Sequence, residues 1–130
     1  MNTGIIADTC IWIEFFRKPD AALTVHLKRL IREEQVVMTG MVLAEILQGI
    51  KSQKEAGLVR DHLQKLPYLE TTRKIWENAG QISASLRARG ITIPLSDLII
   101  AATAMSHGCE VFTVDPHFDQ VKELKRHYAE

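Results

Sequence analysis

The amino-acid sequence predicts an α/β protein with a central parallel sheet that is covered by helices on both faces. Short apolar segments of strand length alternate along the chain with longer segments of helical periodicity. From Leu98 to Met105 every residue except Thr103 is apolar, which is typical of a helix that is buried on all sides. The 130 residues, 46% of them hydrophobic, suit one domain with a substantial core. We therefore predict a single three-layer α/β/α domain over residues 1–130.

The order of the predicted elements supports this class. The strand candidates are short apolar segments at residues 4–7, 35–39, 91–93 and 110–114. Helices are expected over 9–16, 21–34, 41–47, 51–66, a segment ending at Gly90, and the buried segment between Pro94 and Gly108. Strands that alternate with helices in this way favour a parallel sheet.

The buried helix has clear signals at both ends. Pro94 suits a first helical turn, Ser96 and Asp97 favour a helix N-terminus, and Gly108 marks the end. An aspartate at this position satisfies free amide donors and the positive end of the helix dipole. Asp97 alone therefore does not indicate a function.

The charge balance excludes a strong general attraction to nucleic acids. Lysine and arginine together number 16, as do aspartate and glutamate. Any RNA contact must therefore come from local basic residues. Candidates for phosphate contacts are Arg17, Arg87 and Arg89, although the last two also suit the end of a helix dipole.

The sequence also predicts a compartment. The N-terminus lacks a signal-peptide pattern, and no segment approaches the roughly 18 apolar residues of a membrane span. Cys10 and Cys109 lie among apolar residues without metal-binding spacing, so we expect reduced core thiols. The expectation is a cytoplasmic protein without a membrane partner.

Four acidic side chains occur at notable positions. Asp8 and Asp115 each follow a strand candidate, and Asp97 lies at the start of the buried helix. Glu45 lies in an apolar segment, where an unpaired ionised carboxylate would cost several kcal/mol. Each acid has an ordinary explanation, as a helix cap, a turn initiator or part of a narrow exposed stripe. Their combination is what points to a function.

In a parallel sheet, all four positions fall at the edge where the strands end, which is where α/β proteins bind ligands. Two like charges ~4 Å apart repel by about 4 kcal/mol at an effective dielectric constant near 20, so converging carboxylates need a cation or protons. Oxygen ligands without histidine or cysteine favour Mg²⁺ or Mn²⁺ over zinc. These ions bind phosphates and activate water, which predicts phosphodiester hydrolysis.

An aromatic segment follows Asp8. Five large apolar residues lie within six positions, and they cannot all face inward on one helix. We expect some of them to meet a partner chain. The residues are Ile11, Trp12, Ile13, Phe15 and Phe16.

These motifs together resemble those of PIN-domain ribonucleases, and most closely the VapC-like toxins of type II toxin–antitoxin pairs. The resemblance covers essentially the whole chain. Its motifs are Ile6-Ala7-Asp8-Thr9, Leu43-Ala44-Glu45-Ile46, Pro94-Leu95-Ser96-Asp97 with the following helix, and Thr113-Val114-Asp115 with Phe118.

The resemblance implies a PIN-like three-layer fold and a Mg²⁺-dependent endoribonuclease. It also implies a homodimer, and inhibition by a cognate antitoxin whose tail crosses the active-site cleft. The implied catalytic residues are Asp8, Glu45, Asp97 and Asp115, of which Asp8, Asp97 and Asp115 would be metal ligands. Supporting hydrogen-bonding residues would be Thr9, Ser96, Thr113 and Asp119. The implied antitoxin groove would include Trp12, Phe15 and Phe16.

Two other classes of function remain open. A phosphatase or phosphoacceptor domain would use Asp8 covalently, but the residue two positions on is Cys10 rather than a second aspartate. A catalytically silent interaction module would carry structural acids alone. That module would gain no stability from metal ions and would tolerate Asp97→Asn.

Overall fold

The computed structural model describes residues 4–129 and forms one parallel five-stranded sheet surrounded by helices. The strands are β1 (Ile5–Ala7), β2 (Val36–Thr39), β3 (Tyr68–Leu69), β4 (Glu110–Phe112) and β5 (Arg126–His127). The helices are α1 (Thr9–Arg17), α2 (Ala22–Arg32), α3 (Gly40–Gln48), α4 (Gln53–Leu63), α5 (Arg73–Ala88) and α6 (Leu95–His107), and a 3₁₀ helix spans Pro116–Gln120. Within residues 4–129, no helix is long and apolar enough to cross a lipid bilayer.

The strand order β3-β2-β1-β4-β5 places β1 at the centre of the sheet. Ile5 pairs with Val36 on one side and with Glu110 on the other. All three residues of β1 are buried, so helices cover both faces of the sheet at this point. The predicted α/β class with a central parallel sheet is confirmed.

The predicted buried helix is α6. Every residue from Leu98 to Ala104 is buried. The polar exception, Thr103, is satisfied because its hydroxyl donates to the carbonyl of Ile99 at 2.8 Å. Helix α6 lies against α5 and α3 and contacts β4, so it supports the sheet from one side.

The edges of the sheet differ from the prediction. Residues 91–93 form no strand, because they lie in the short connection between α5 and α6. There the amide of Ile91 donates to the carbonyl of Leu86, which closes the end of α5 rather than a strand ladder. Strands β3 and β5 were not predicted. Each has two residues, which is too short to show an alternating pattern.

Gly108 ends α6 in a left-handed conformation, with φ at 69°. An added Cβ would meet no atom within 4 Å, so substitution brings backbone strain alone. We expect Gly108→Ala to lower the free energy of unfolding by about 1–2 kcal/mol, measured by chemical denaturation.

Gly80 provides the matched control. It lies inside α5 without a positive φ, and its added Cβ would also meet no atom within 4 Å. Gly80→Ala is expected to raise stability by roughly 0.5–1 kcal/mol through better helix propensity. Shifts of the same sign in both variants would contradict the role of the Gly108 conformation.

Candidate active site

A continuous chain of hydrogen bonds connects the four acids that the sequence singled out. It runs through two threonines and a histidine in the order Glu45, Thr9, Asp8, Thr113, Asp115, His117 and Asp97. These residues follow β1 and β4 or lie on α3 and at the start of α6. The predicted convergence of the acids is therefore what the structure shows.

Asp8 lies directly after β1 and is the most enclosed of the four acids, with 5% of its surface exposed. Its Oδ1 accepts from the amide of Thr9 at 2.8 Å, which caps α1. Its Oδ2 accepts from the hydroxyl of Thr113 at 2.9 Å and from the thiol of Cys10 at 3.4 Å. The cap explains its position, and the additional donors fix its orientation.

Glu45 is held from α1. It is half-buried on α3, and its Oε1 accepts from the hydroxyl of Thr9 at 2.7 Å. Because the amide of the same threonine binds Asp8, Thr9 sets the positions of both acids. The supporting role expected for Thr9 stays a prediction.

Thr113 links two other acids. Its hydroxyl donates to Asp8 Oδ2 at 2.9 Å and accepts from the amide of Asp115 at 2.9 Å. Asp115 in turn accepts from the amide of His117 at 2.9 Å and caps the 3₁₀ helix. One buried hydroxyl therefore fixes a carboxylate and the backbone that carries another.

His117 lies between Asp97 and Asp115. Its Nδ1 is 2.9 Å from Asp97 Oδ2 and 3.3 Å from Asp115 Oδ1. The side chain of His117 is 43% exposed and that of Asp97 is 13% exposed. The imidazole therefore closes the cluster on its solvent side.

The charges of the cluster act on one another. Burial raises the pKa of Asp97 above its ordinary value; the hydrogen bond from His117 opposes this, and the negative charges of Asp8 and Asp115 raise the pKa further. The pKa of His117 is raised, mainly by its hydrogen bond to Asp97. Negative charge is thus concentrated where a cation would relieve it.

The donor set fits a metal ion. One ligand atom each from Asp97, Asp115 and His117 lies within 4.8 Å of the other two. Asp8, expected as a main ligand, is outside this group of three, although its charge acts on Asp97. Two carboxylates and an imidazole are donors that a divalent cation accepts.

Asp119 and Ser96 were also predicted to support the site, but neither belongs to the chain of hydrogen bonds that connects the acids. Asp119 is exposed and forms an ion pair with Arg126, whose guanidinium also donates to the carbonyl of Thr113 at 2.8 Å. Asp119 therefore reaches the site only through Arg126 and the backbone. Ser96 is half-buried in the first turn of α6, beside Asp97.

The aromatic cluster on α1 divides between core and surface. Trp12 is completely buried and contacts the rings of Phe15 and Phe16. It cannot contact a partner directly, because these rings cover it. Phe16 and Ile13 are 37% and 40% exposed. The expectation that this segment could not face inward entirely is confirmed.

The predicted phosphate contacts are all exposed. Arg17 is the last residue of α1, at the opposite end of the helix from Asp8. Arg87 and Arg89 lie at the end of α5, just before the connection to α6. Their positions allow contact with a long ligand, and their role stays a prediction.

Sequence reasoning missed His117. The residue lies directly after Asp115-Pro116, and Asp-Pro is an ordinary start of a turn. Its contact with Asp97 joins residues 20 positions apart, which leaves no local signal in the sequence.

Thr113→Val gives a direct check on the hydroxyl that joins the acids. Valine keeps the shape but leaves Asp8 Oδ2 with only the weak thiol donor of Cys10, and it removes the acceptor of the Asp115 amide. We expect the rate of phosphodiester cleavage to fall roughly 10–100-fold, the range typical of groups that orient metal ligands. Thr113→Ser, which keeps the hydroxyl, should stay within about 3-fold of the wild type in the same cleavage assay, on the same reasoning. Equal losses in both variants would contradict the role of the hydroxyl.

The structure combines a parallel α/β fold with carboxylates gathered at one edge of its sheet, an arrangement whose donors fit a cation. The description "PIN domain" matches residues 5–124, and the chain belongs to this family.

Comparison with individual proteins agrees with the family. The chain is 29% identical over 124 residues to Ribonuclease VapC11 of Mycobacterium tuberculosis, which covers 92% of each chain. VapBC2 from Rickettsia felis, bound to a DNA fragment from its promoter, superposes with a TM-score of 0.81 at 20% identity, over 95% of this chain and 96% of that one. FitAcB from Neisseria gonorrhoeae gives 0.78 at 23% identity, over 96% and 97%. These likenesses confirm the fold.

Proposed function

We propose that this chain is a metal-dependent endoribonuclease and the toxin of a toxin–antitoxin pair of the VapC kind. Residues 1–130 act as a single PIN domain in this proposal. The observation that supports it most strongly is the hydrogen-bonded chain joining Asp8, Glu45, Asp97 and Asp115. Membership of the PIN family and the similarity to relatives named as ribonucleases favour the same activity.

The metal in this proposal is a divalent cation, Mg²⁺ or Mn²⁺. Asp97 and Asp115 would hold it directly with His117 beside them, and Asp8 would add its charge from the neighbouring position. When bound, the cation supplies positive charge for the phosphate and makes a water molecule more acidic. Three nearby carboxylates whose charges act on one another provide the negative field that such an ion needs.

The protein groups divide the remaining work. Glu45, held through one oxygen by Thr9, would orient the attacking water with its other oxygen and accept its proton. Thr113 would hold Asp8 and Asp115 in fixed positions relative to each other, so that the phosphodiester binds next to pre-oriented carboxylates. The exposed residues Arg17, Arg87 and Arg89 remain candidates for contacts with RNA phosphates.

The proposed partners are an antitoxin and a second copy of the chain, in the cytoplasm. One of the similar structures is described as a toxin–antitoxin complex from Klebsiella pneumoniae and others are named VapBC, which favours an antitoxin for this chain too. The exposed side chains of Ile13 and Phe16, next to half-buried Phe15, offer an apolar surface for an antitoxin helix. An antitoxin that covers this surface would explain why large apolar side chains are exposed in the isolated chain.

The test is cleavage of single-stranded and structured RNA by the purified chain, in Mg²⁺, in Mn²⁺ and in EDTA. We expect cleavage in either ion and none in EDTA. Identical degradation in EDTA would contradict metal dependence. No cleavage under any condition, together with no stabilisation by either ion, would favour a silent interaction module. Release of phosphate from a phosphomonoester with a covalent intermediate on Asp8 would favour a phosphatase.

A further inference from the structure

His117 is placed as a ligand of a metal ion would be, and no motif of the sequence analysis used it. Its Nδ1 lies 2.9 Å from Asp97 Oδ2 and 3.3 Å from Asp115 Oδ1. Adjacent ligands of an octahedral ion with bonds of about 2.1 Å are about 3 Å apart. His117 Nδ1 is therefore spaced from each carboxylate oxygen as a neighbouring ligand would be, and the three ligand atoms all lie within 4.8 Å of one another.

The backbone holds this nitrogen in place. The amide of His117 donates to Asp115 Oδ1, and Pro116 starts the 3₁₀ helix that carries the ring. The next residue, Phe118, is 1% exposed and anchors the helix in the core. A ligand fixed in this way loses little conformational freedom when an ion binds, which favours affinity.

The ring also presents the correct nitrogen. Nδ1 points at the two carboxylates, and without a metal its proton makes the hydrogen bond to Asp97. An ion bound at Nδ1 would displace that proton to solvent, and the second proton of the ring could stay on Nε2, since the side chain is 43% exposed. A neutral imidazole with its proton on the far nitrogen is the form that binds metals. Such a nitrogen favours first-row transition ions over Mg²⁺, which prefers oxygen and keeps its water.

We propose that His117 Nδ1 is a metal ligand, and that it makes this site select a first-row transition dication over Mg²⁺. The inference rests on the metal site of the proposed function and deepens it, because it names the class of ion. Carboxylates alone would accept Mg²⁺ and Mn²⁺ alike. The imidazole is the group that separates them.

The experiment measures binding, with Mn²⁺ and Mg²⁺ as probes and the full chain freed of metal by a chelator. Isothermal titration is carried out on the wild type, His117→Asn, Asp97→Asn and the control His107→Asn. His107 lies at the far end of α6 and contacts the carbonyl of Glu70. The wild type should bind Mn²⁺ at least ~10-fold more tightly than Mg²⁺.

His117→Asn should weaken Mn²⁺ binding by roughly 10–100-fold and Mg²⁺ binding by less than about 3-fold. His107→Asn should match the wild type. Pulsed electron paramagnetic resonance of bound Mn²⁺ gives an independent readout on the unmodified chain, because a coordinated imidazole produces nitrogen modulation of the echo. That modulation should be present in the wild type and absent in His117→Asn.

Metal binding at other histidines is controlled in the same experiment. His26 and His127 approach within 2.9 Å through their Nε2 atoms and could bind an ion elsewhere. Nitrogen modulation that persists in His117→Asn would come from a histidine other than His117 and would overturn the proposal.

The remaining outcomes separate the two claims. Mn²⁺ binding that is lost in Asp97→Asn but unchanged in His117→Asn would overturn the role of His117 and leave the proposed function intact. Equal weakening of both ions in His117→Asn would overturn the selectivity. Wild-type chain that binds neither ion would overturn the metal site, and the proposed function with it.

Discussion

Asp97→Asn is expected to reduce RNA cleavage by roughly 10³-fold or more, equivalent to about 4 kcal/mol of transition-state stabilisation. Asp97 contacts His117, and the charges of Asp8 and Asp115 act on it, so it contributes to the negative field that the acids share. Asparagine keeps the shape and removes the charge that would attract the ion. Initial cleavage rates at saturating Mg²⁺ or Mn²⁺ measure the effect.

The control for this variant is stability without metal. The pKa of Asp97 is raised, so its ionised form is disfavoured in the folded chain. The contribution of Asp97 to the free energy of unfolding therefore falls as the pH rises from the unfolded pKa through the raised folded pKa. A neutral asparagine avoids this cost at neutral pH. The melting temperature in EDTA should therefore equal or exceed that of the wild type.

Asp20→Asn, at an exposed turn after α1, serves as the second control and should leave cleavage unchanged. Full activity in Asp97→Asn would contradict the proposal that the acid cluster is the catalytic centre. Lost activity with a strongly reduced melting temperature would assign the effect to folding.

Leu98→Ala is expected to lower the free energy of unfolding by about 2–5 kcal/mol. Leu98 is 1% exposed in α6, where a smaller side chain would leave a cavity that neighbouring core residues cannot fill completely. Small domains have only about 5–15 kcal/mol in total, so this one change would remove a large part of the stability. Urea denaturation of the metal-free chain measures it.

The matched control is Leu95→Ala, one helical turn earlier. Leu95 lies in the same helix but is exposed, so its change should stay within about ±0.5 kcal/mol. Equal losses in the two variants would mean that α6 is not the buried centre of the domain.

The parts of the fold with strong apolar patterns could be predicted from the sequence. Strands β1, β2 and β4 and helix α6 are buried, and burial leaves a continuous apolar segment. The edge strands β3 and β5 could not be found, because two residues carry no periodicity. Residues 91–93 have strand-like composition, but their backbone terminates α5.

The candidate site divides in the same way. Each acid could be found because a carboxylate beside an apolar segment is unusual. Thr9 and Thr113 donate hydrogen bonds to Glu45 and Asp8, and the supporting roles implied by the family resemblance stay predictions. His117 could not be found, since its role depends on a distance to Asp97 that links residues 20 positions apart. The ion pair of Asp119 with Arg126 could not be predicted either, because the sequence does not show which acid will contact which basic residue in the folded chain.

The most direct test of a cation held between these acids is anomalous diffraction from crystals of the metal-free chain soaked in Mn²⁺. We expect one strong anomalous peak between Asp97, Asp115 and His117, lost in Asp97→Asn crystals soaked in the same way. A wild-type cluster with no peak, or a peak only at other residues, would contradict the central claim that these side chains form a metal centre.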